Sequence, residues 1–156
     1  MGTFTIRRTV RAAPQRVWQV VTDWDGYARW MPMTTMRRDP GPSGVGWSFA
    51  GLSGVGPLRL ADSMVITHWA PPAADGSGEL RVRKTGRVLA GWAVVTVRAA
   101  PDDGRTLLEW VEDISLRPAP LGRLLAPVVD RVNRAMFGRA VDRMVAEAEA
   151  EAPQHD

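Results

Sequence analysis

The run Ala12-Ala13-Pro14-Gln15-Arg16-Val17-Trp18-Gln19-Val20-Val21-Thr22-Asp23-Trp24-Asp25-Gly26-Tyr27-Ala28-Arg29-Trp30-Met31-Pro32 decides the fold. It follows residues 3–10, where alternation and the β-formers Phe4, Ile6 and Val10 read as a strand. At Ala13-Pro14 the period changes. Pro14 suits a first helical position, because its missing N–H would have no intrahelical partner there. Val17, Trp18 and Val21 then fall on one face of a short helix. Asp23 or Asp25 can cap a second short helix carrying Tyr27, Trp30 and Met31, and Pro32 ends it.

Beyond this run the pattern changes to strands and turns. Gly41-Pro42-Ser43-Gly44 reads as a turn, residues 46–52 as a strand and 53–57 as another turn. Residues 58–69 make a long strand, 71–78 a Pro/Gly-rich hairpin loop, and 79–88 and 92–99 two more strands meeting near Ala90-Gly91. Pro101-Asp102-Asp103-Gly104 is a hairpin turn before the last strand, 106–116. Successive strands joined this way pair as an antiparallel meander. Leu121, Leu125, Val128, Val132, Met136, Ala140, Met144 and Ala148 recur every three or four residues, so one long helix closes the chain and its stripe packs on the sheet. Pro127 either starts that helix or kinks it. The fold class expected is α+β: a curved antiparallel sheet, with two short helices after the first strand, wrapped around a long C-terminal helix. Residues 1–152 form one domain and 153–156 a polar tail.

Composition narrows the function classes. The 156 residues suffice for one domain with a real core, and 45% hydrophobic with 24% charged residues is ordinary for a soluble protein. There is no cysteine, which excludes disulfides and thiol chemistry and fits a reducing cytoplasm. The start of the chain has no apolar run of signal-peptide length, and no segment reaches membrane-spanning length. Net charge is +3, and the arginines are dispersed among acids, so no nucleic-acid partner is expected. No cysteine or His/Glu pair has metal-ligand spacing, so neither a metal nor another cofactor is expected. The glycine-rich stretches 41–46 and 51–56 lack the ending of a phosphate loop.

The chain resembles the START-like (SRPBCC) superfamily, in particular its polyketide cyclase/dehydrase-type branch. The residues carrying the resemblance are Ala13-Pro14, Val17-Trp18, Val21, Asp23-Trp24 and Trp30-Met31-Pro32, the strand end Val65-Ile66-Thr67-His68-Trp69-Ala70-Pro71-Pro72, and the strand Thr106-Leu107-Leu108-Glu109-Trp110-Val111-Glu112. The element order matches over essentially the whole chain. The resemblance implies a helix-grip fold with an elongated cavity between sheet and helix. It also implies hydrophobic ligands such as lipids, sterols or polyketides, and in some members cyclase or dehydratase activity.

Strand alternation assigns the candidate site, with a one-residue slip as the risk. In the long strand Leu58, Leu60, Asp62, Met64, Ile66 and His68 share the more apolar, inward face. In the next strand Leu80, Val82, Lys84 and Val88 face inward, and in the last Leu108, Trp110, Glu112, Ile114 and Leu116. Buried charges are costly unless paired, so Glu112 and Lys84 are read as an ion pair. A cyclase needs a base for a carbon-bound proton and a donor for a carbonyl oxygen. His68 or Glu112 is the candidate base, with Lys84 or Tyr27 as the donor. Beside this stand plainer roles: a backbone hydrogen bond for His68, a structural pair for Glu112 and Lys84, a cap or a bridge to an arginine for Asp62, and packing between helices for Tyr27.

Seven tryptophans make an aromatic-lined cavity credible. The candidate ligand-binding residues are Trp30, Trp47, Met64, Trp92, Trp110 and Met136, the methionines supplying adaptable lining. Three functions follow: a carrier or binder of a small hydrophobic ligand, a cyclase or dehydratase using cavity acid/base residues, and an interaction module whose cavity is filled by its own side chains. The partner expected is a small hydrophobic ligand, with no membrane insertion, in a monomer or homodimer.

Overall fold

The computed structural model describes residues 2–101 and 104–150. The Pro101–Gly104 turn includes residues outside that range, as does the polar tail. The strands are β1 (Gly2–Val10), β2 (Thr34–Arg38), β3 (Ser48–Val55), β4 (Leu58–Ala70), β5 (Gly78–Lys84), β6 (Leu89–Ala99) and β7 (Thr106–Leu116), and the helices α1 (Pro14–Val21), α2 (Tyr27–Trp30) and α3 (Ala119–Ala150). They form one seven-stranded antiparallel sheet in the order β1-β7-β6-β5-β4-β3-β2. Only β1 leaves chain order: it pairs with β7, and α1 and α2 fill the excursion before β2. This is the helix-grip α+β architecture.

The opening run behaves as its residues dictate. Ala13 is extended, Pro14 starts α1, and Val17, Trp18, Val20 and Val21 are buried. The Asp23 side chain accepts from the Gly26 N–H at 3.1 Å, which caps a 3-10 turn at Trp24–Gly26 leading into α2. The last turn of α2 is tied to α3: Arg29 bridges Asp23 and Glu147, each at 2.7 Å, and the Trp30 indole N–H donates to Glu147 at 2.8 Å.

Four expectations are corrected. The strand read over 79–88 ends at Lys84 and β6 starts at Leu89, so the connection is 85–88 and not near Ala90-Gly91, and Val88 is exposed in it. β2 adds a strand that the alternation did not show, because Met33, at φ 54°, turns the chain sharply before a run of only five residues. β3 continues through Ser53 to Val55, so the turn before β4 is shorter than read. The apolar stripe of α3 does not pack on the sheet along its whole length. Phe137, Ala140, Val141, Met144 and Ala148 are buried, but Leu124, Val128 and Val132 are exposed. The helix runs through Pro127 without a break. Its main contacts are with β1, β7, α1 and α2.

Candidate functional site

Sheet, α2 and α3 enclose a cavity of about 70 Å3, the space open to the centre of a water molecule. Five of its lining side chains are aromatic: Trp24, Tyr27, Phe49, Trp110 and Phe137. The rings support one another, with Trp24 stacked on Tyr27 at 5.8 Å and packed on Phe49 at 4.3 Å. Met31, Met36 and Met64 form flexible parts of the lining. The Trp24 indole N–H donates to Ser43 Oγ at 2.8 Å, fastening the 41–44 loop to the turn before α2.

Within this apolar surround sits one charged cluster. Lys84 Nζ lies 2.5 Å from Asp62 Oδ2 and 3.0 Å from Glu112 Oε1. The Trp110 indole N–H donates to Glu112 Oε2 at 3.0 Å. Regular pairing explains why three strands converge here: Met64 on β4 is opposite Lys84, Lys84 is opposite Gly91, and Ala93 is opposite Glu112. Gly91 and Ala93 put little bulk on the intervening strand, so the Lys84 and Glu112 side chains meet across it. The Lys84 and Glu112 side chains are 1% and 2% exposed, and Asp62 is 21% exposed. Both Glu112 oxygens accept hydrogen bonds, and Asp62 Oδ1 is buried with no partner.

Burial pushes the Glu112 carboxyl above its ordinary range, outweighing the opposing pull of Lys84 and the Trp110 hydrogen bond, and Asp62 adds to the rise. For Lys84 burial is the largest influence and acts downward, but Glu112 and Asp62 together overcome it and hold the ammonium charged. Lys84 is therefore a proton donor or fixed cation at neutral pH, not a free amine. Burial, then Glu112 and Asp23, pushes the Tyr27 phenol far up. It stays protonated and donates to the Val21 carbonyl at 3.2 Å.

The two raised values set a pH dependence. A group whose folded pKa exceeds its unfolded value stabilises in full below the unfolded value, and loses that stabilisation as pH rises through the folded one. For Glu112 the loss begins above the ordinary 4.5, whereas Lys84 keeps its contribution up to its ordinary 10.5 and beyond. Thermal unfolding of the wild type and Glu112→Gln, run from about pH 4 to about pH 8, should show the wild type losing ground steadily to the variant. A difference that stays flat or grows in favour of the wild type contradicts this account of Glu112.

The structure brings together some of the residues singled out from the sequence and separates others. Glu112, Lys84, Met64 and Trp110 line the cavity. His68 does not. Thr67 is an extra residue in β4, since Ile66 pairs with Val82 but His68 with Arg81. That bulge reverses the alternation, so Trp69 packs inward on Trp18 at 5.1 Å and His68 points outward, 3.8 Å from Glu79. Trp92 is likewise on the outer face and 40% exposed, because Ala93, Val95 and Val97 are the inward residues of β6. Trp47 is buried behind the wall against Trp24 and Phe49. Trp30 and Met136 border a separate surface groove between the turn after α2 and α3. Asp62 also lines the cavity, as its inward strand position predicts, and so does Phe49, which was not among the candidate residues. The signal for Phe49 was available, because it lies on the inward face of β3.

Among the described residues, no group of His, Cys, Asp and Glu is placed to hold a metal, and no helix is long and apolar enough to cross a membrane. Residues 1–149 match the family described as polyketide cyclase / dehydrase and lipid transport. The chain belongs to this family. Solved structures with the same fold include the Zhui aromatase/cyclase from Streptomyces sp. R1128, at 22% identity, TM-score 0.63, covering 97% of this chain and 99% of that one. TTHA0849 from Thermus thermophilus aligns at 12% identity and TM-score 0.72, over 97% of this chain and 100% of the other. Norcoclaurine synthase from Thalictrum flavum aligns at 12% identity and TM-score 0.61, over 94% and 87%. No curated protein matches in sequence. At these identities the likeness is one of fold. The polyketide cyclase / dehydrase and lipid transport family embraces both binding and catalysis, so the choice between them rests on the cavity itself.

Proposed function

We propose that the protein binds a small hydrophobic ligand, aromatic or polyketide-like, in the internal cavity. The observation that carries this reading is the make-up of the lining: five aromatic side chains and three methionines around a single charged cluster. Apolar walls supply affinity and a few placed polar groups fix orientation. The space is small against the roughly 300–1,000 Å3 of pockets for drug-sized ligands. The ligand is therefore compact, or Met31, Met36 and Met64 swing aside for it. The cysteine-free chain suits work in a reducing cytoplasm.

Titration calorimetry with ethylbenzene, a compact aromatic probe, tests the reading in the wild type and Gly51→Leu. Gly51 lines the cavity in ordinary extended backbone, and a Cβ there would meet nothing nearer than 3.8 Å. The strand should accept a side chain that then occupies the space. Saturable one-to-one binding lost in Gly51→Leu is expected. Equal binding in the variant overturns the proposal, as does failure of the wild type to bind ethylbenzene and its alcohol and amine analogues alike. Native mass spectrometry of the protein as purified then identifies any molecule retained from the cell.

One observation favours a second reading, acid–base turnover. Lys84 uses two of its three N–H donors, and Asp62 keeps a free acceptor beside it. In an aldol cyclisation Asp62 Oδ1 takes a proton from the carbon beside a carbonyl. The electron pair passes into an enolate whose oxygen Lys84 holds. That carbon then bonds to a second carbonyl carbon of the same molecule, and the new alkoxide takes the proton back from Asp62. This assigns the base to Asp62, because His68 is outside the cavity and both Glu112 oxygens are engaged.

A further inference from the structure

We propose that the preferred ligand of this cavity is a small aromatic amine, held as its ammonium with Asp62 Oδ1 as the acceptor. The inference rests on the cavity-binding reading above and specifies the ligand's chemistry.

Hydrogen bonding gives the first reason. Asp62 Oδ1 is buried and unpartnered, whereas the other three carboxylate oxygens of the cluster accept from Lys84 or Trp110. A ligand that meets Oδ1 must bring a donor. Ketones, esters and ethers bring none.

Charge gives the second. Two carboxylates share one ammonium, Lys84, inside a wall of apolar side chains. Glu112 accepts with both oxygens, and protonating either one would set an O–H against a donor already in place. With both carboxylates ionised, the cluster carries one negative charge beyond what Lys84 neutralises, which is costly in such surroundings. A hydroxyl would satisfy Oδ1 and leave that charge. An ammonium satisfies both, and the two cations then alternate with the two carboxylates.

The walls give the third. Cations are attracted to aromatic faces. Trp24, Tyr27, Phe49 and Trp110 all border the cavity that Asp62 borders. Gly51, which pairs with Asp62 across β3 and β4, also borders the cavity and puts no side chain beside the carboxylate.

Three probes of nearly the same shape separate these arguments: ethylbenzene, 2-phenylethanol and 2-phenylethylamine, titrated by calorimetry at neutral pH. The amine should bind at least about tenfold more tightly than either of the others. In Asp62→Asn, which preserves shape and an acceptor for Lys84, the three affinities should come within about threefold of one another. Equal or tighter binding of the alcohol or the hydrocarbon overturns the amine proposal and leaves the cavity reading standing. A preference that survives in Asp62→Asn also overturns it, because the amine is then held elsewhere. If none of the three binds, the cavity reading falls and the amine proposal with it. Should Asp62→Asn not fold, Gly51→Leu takes its place, and an amine preference that persists with the cavity filled overturns the proposal.

Discussion

Replacing Lys84 by methionine should destabilise the fold by about 3–5 kcal/mol, the usual cost of removing one partner from a buried ion pair. Methionine is unbranched and of similar length, so the packing of the stem is retained and the loss isolates the charge. What remains is a 2%-exposed Glu112 facing Asp62, two carboxylates with no cation between them. Asp62 is 21% exposed, and water offsets part of its loss, so most of the effect belongs to Glu112. Urea unfolding measures the free energy. In a thermal melt the midpoint should fall by roughly 10 °C for a domain of this size. The double variant Lys84→Met/Glu112→Gln should recover a large part of the loss, because a neutral amide is far cheaper to bury than an unpaired carboxylate. A loss below about 1 kcal/mol for Lys84→Met would mean that the cluster is solvated. The cavity would then lack the buried charge on which the amine proposal depends.

How much of this could be read beforehand depends on where strand alternation is regular. Asp62, Lys84 and Glu112 lie on stretches of β4, β5 and β7 with unbroken register, so a period of two put all three on the correct face. Six residues past Asp62 the same rule failed for His68, because Thr67 adds one residue to β4 and nothing in Val65-Ile66-Thr67-His68 announces a bulge. Trp92 was misplaced for a different reason. Its size suggested burial, while Ala93, Val95 and Val97 stated the parity of β6 plainly. Large aromatics are highly buried only on average, and here the smaller neighbours were the better guide. Asp62 could be placed but not valued. Alternation puts a carboxylate inside, but it cannot tell that Lys84 takes only one of its oxygens. The exposed half of α3 was beyond reach as well, since an apolar stripe does not say how far the sheet beneath it extends.

Gly91→Ala should be the most damaging change outside the charged cluster, costing about 3 kcal/mol or more. Gly91 has φ 131°, which side-chain-bearing residues rarely adopt. A Cβ there would sit 2.0 Å from the Asp113 carbonyl oxygen and 2.8 Å from its carbon. The obstacle is the backbone of the next strand, so no rotamer change relieves it, and β6 and β7 must part or the backbone of residue 91 must change. Gly91 is also opposite Lys84 on one side and Ile114 on the other. A shift of β6 therefore moves Lys84 relative to Glu112 and loosens their 3.0 Å contact. Gly51→Ala is the matched comparison: it is another strand glycine beside the cluster, but its added Cβ meets only ordinary contacts at 3.8 Å, and its cost should stay below about 1 kcal/mol. Urea unfolding of the two variants side by side decides the matter. Equal losses would show that glycine at these positions reflects general strand propensity, and that close approach of β6 to β7 does not hold the cluster in register.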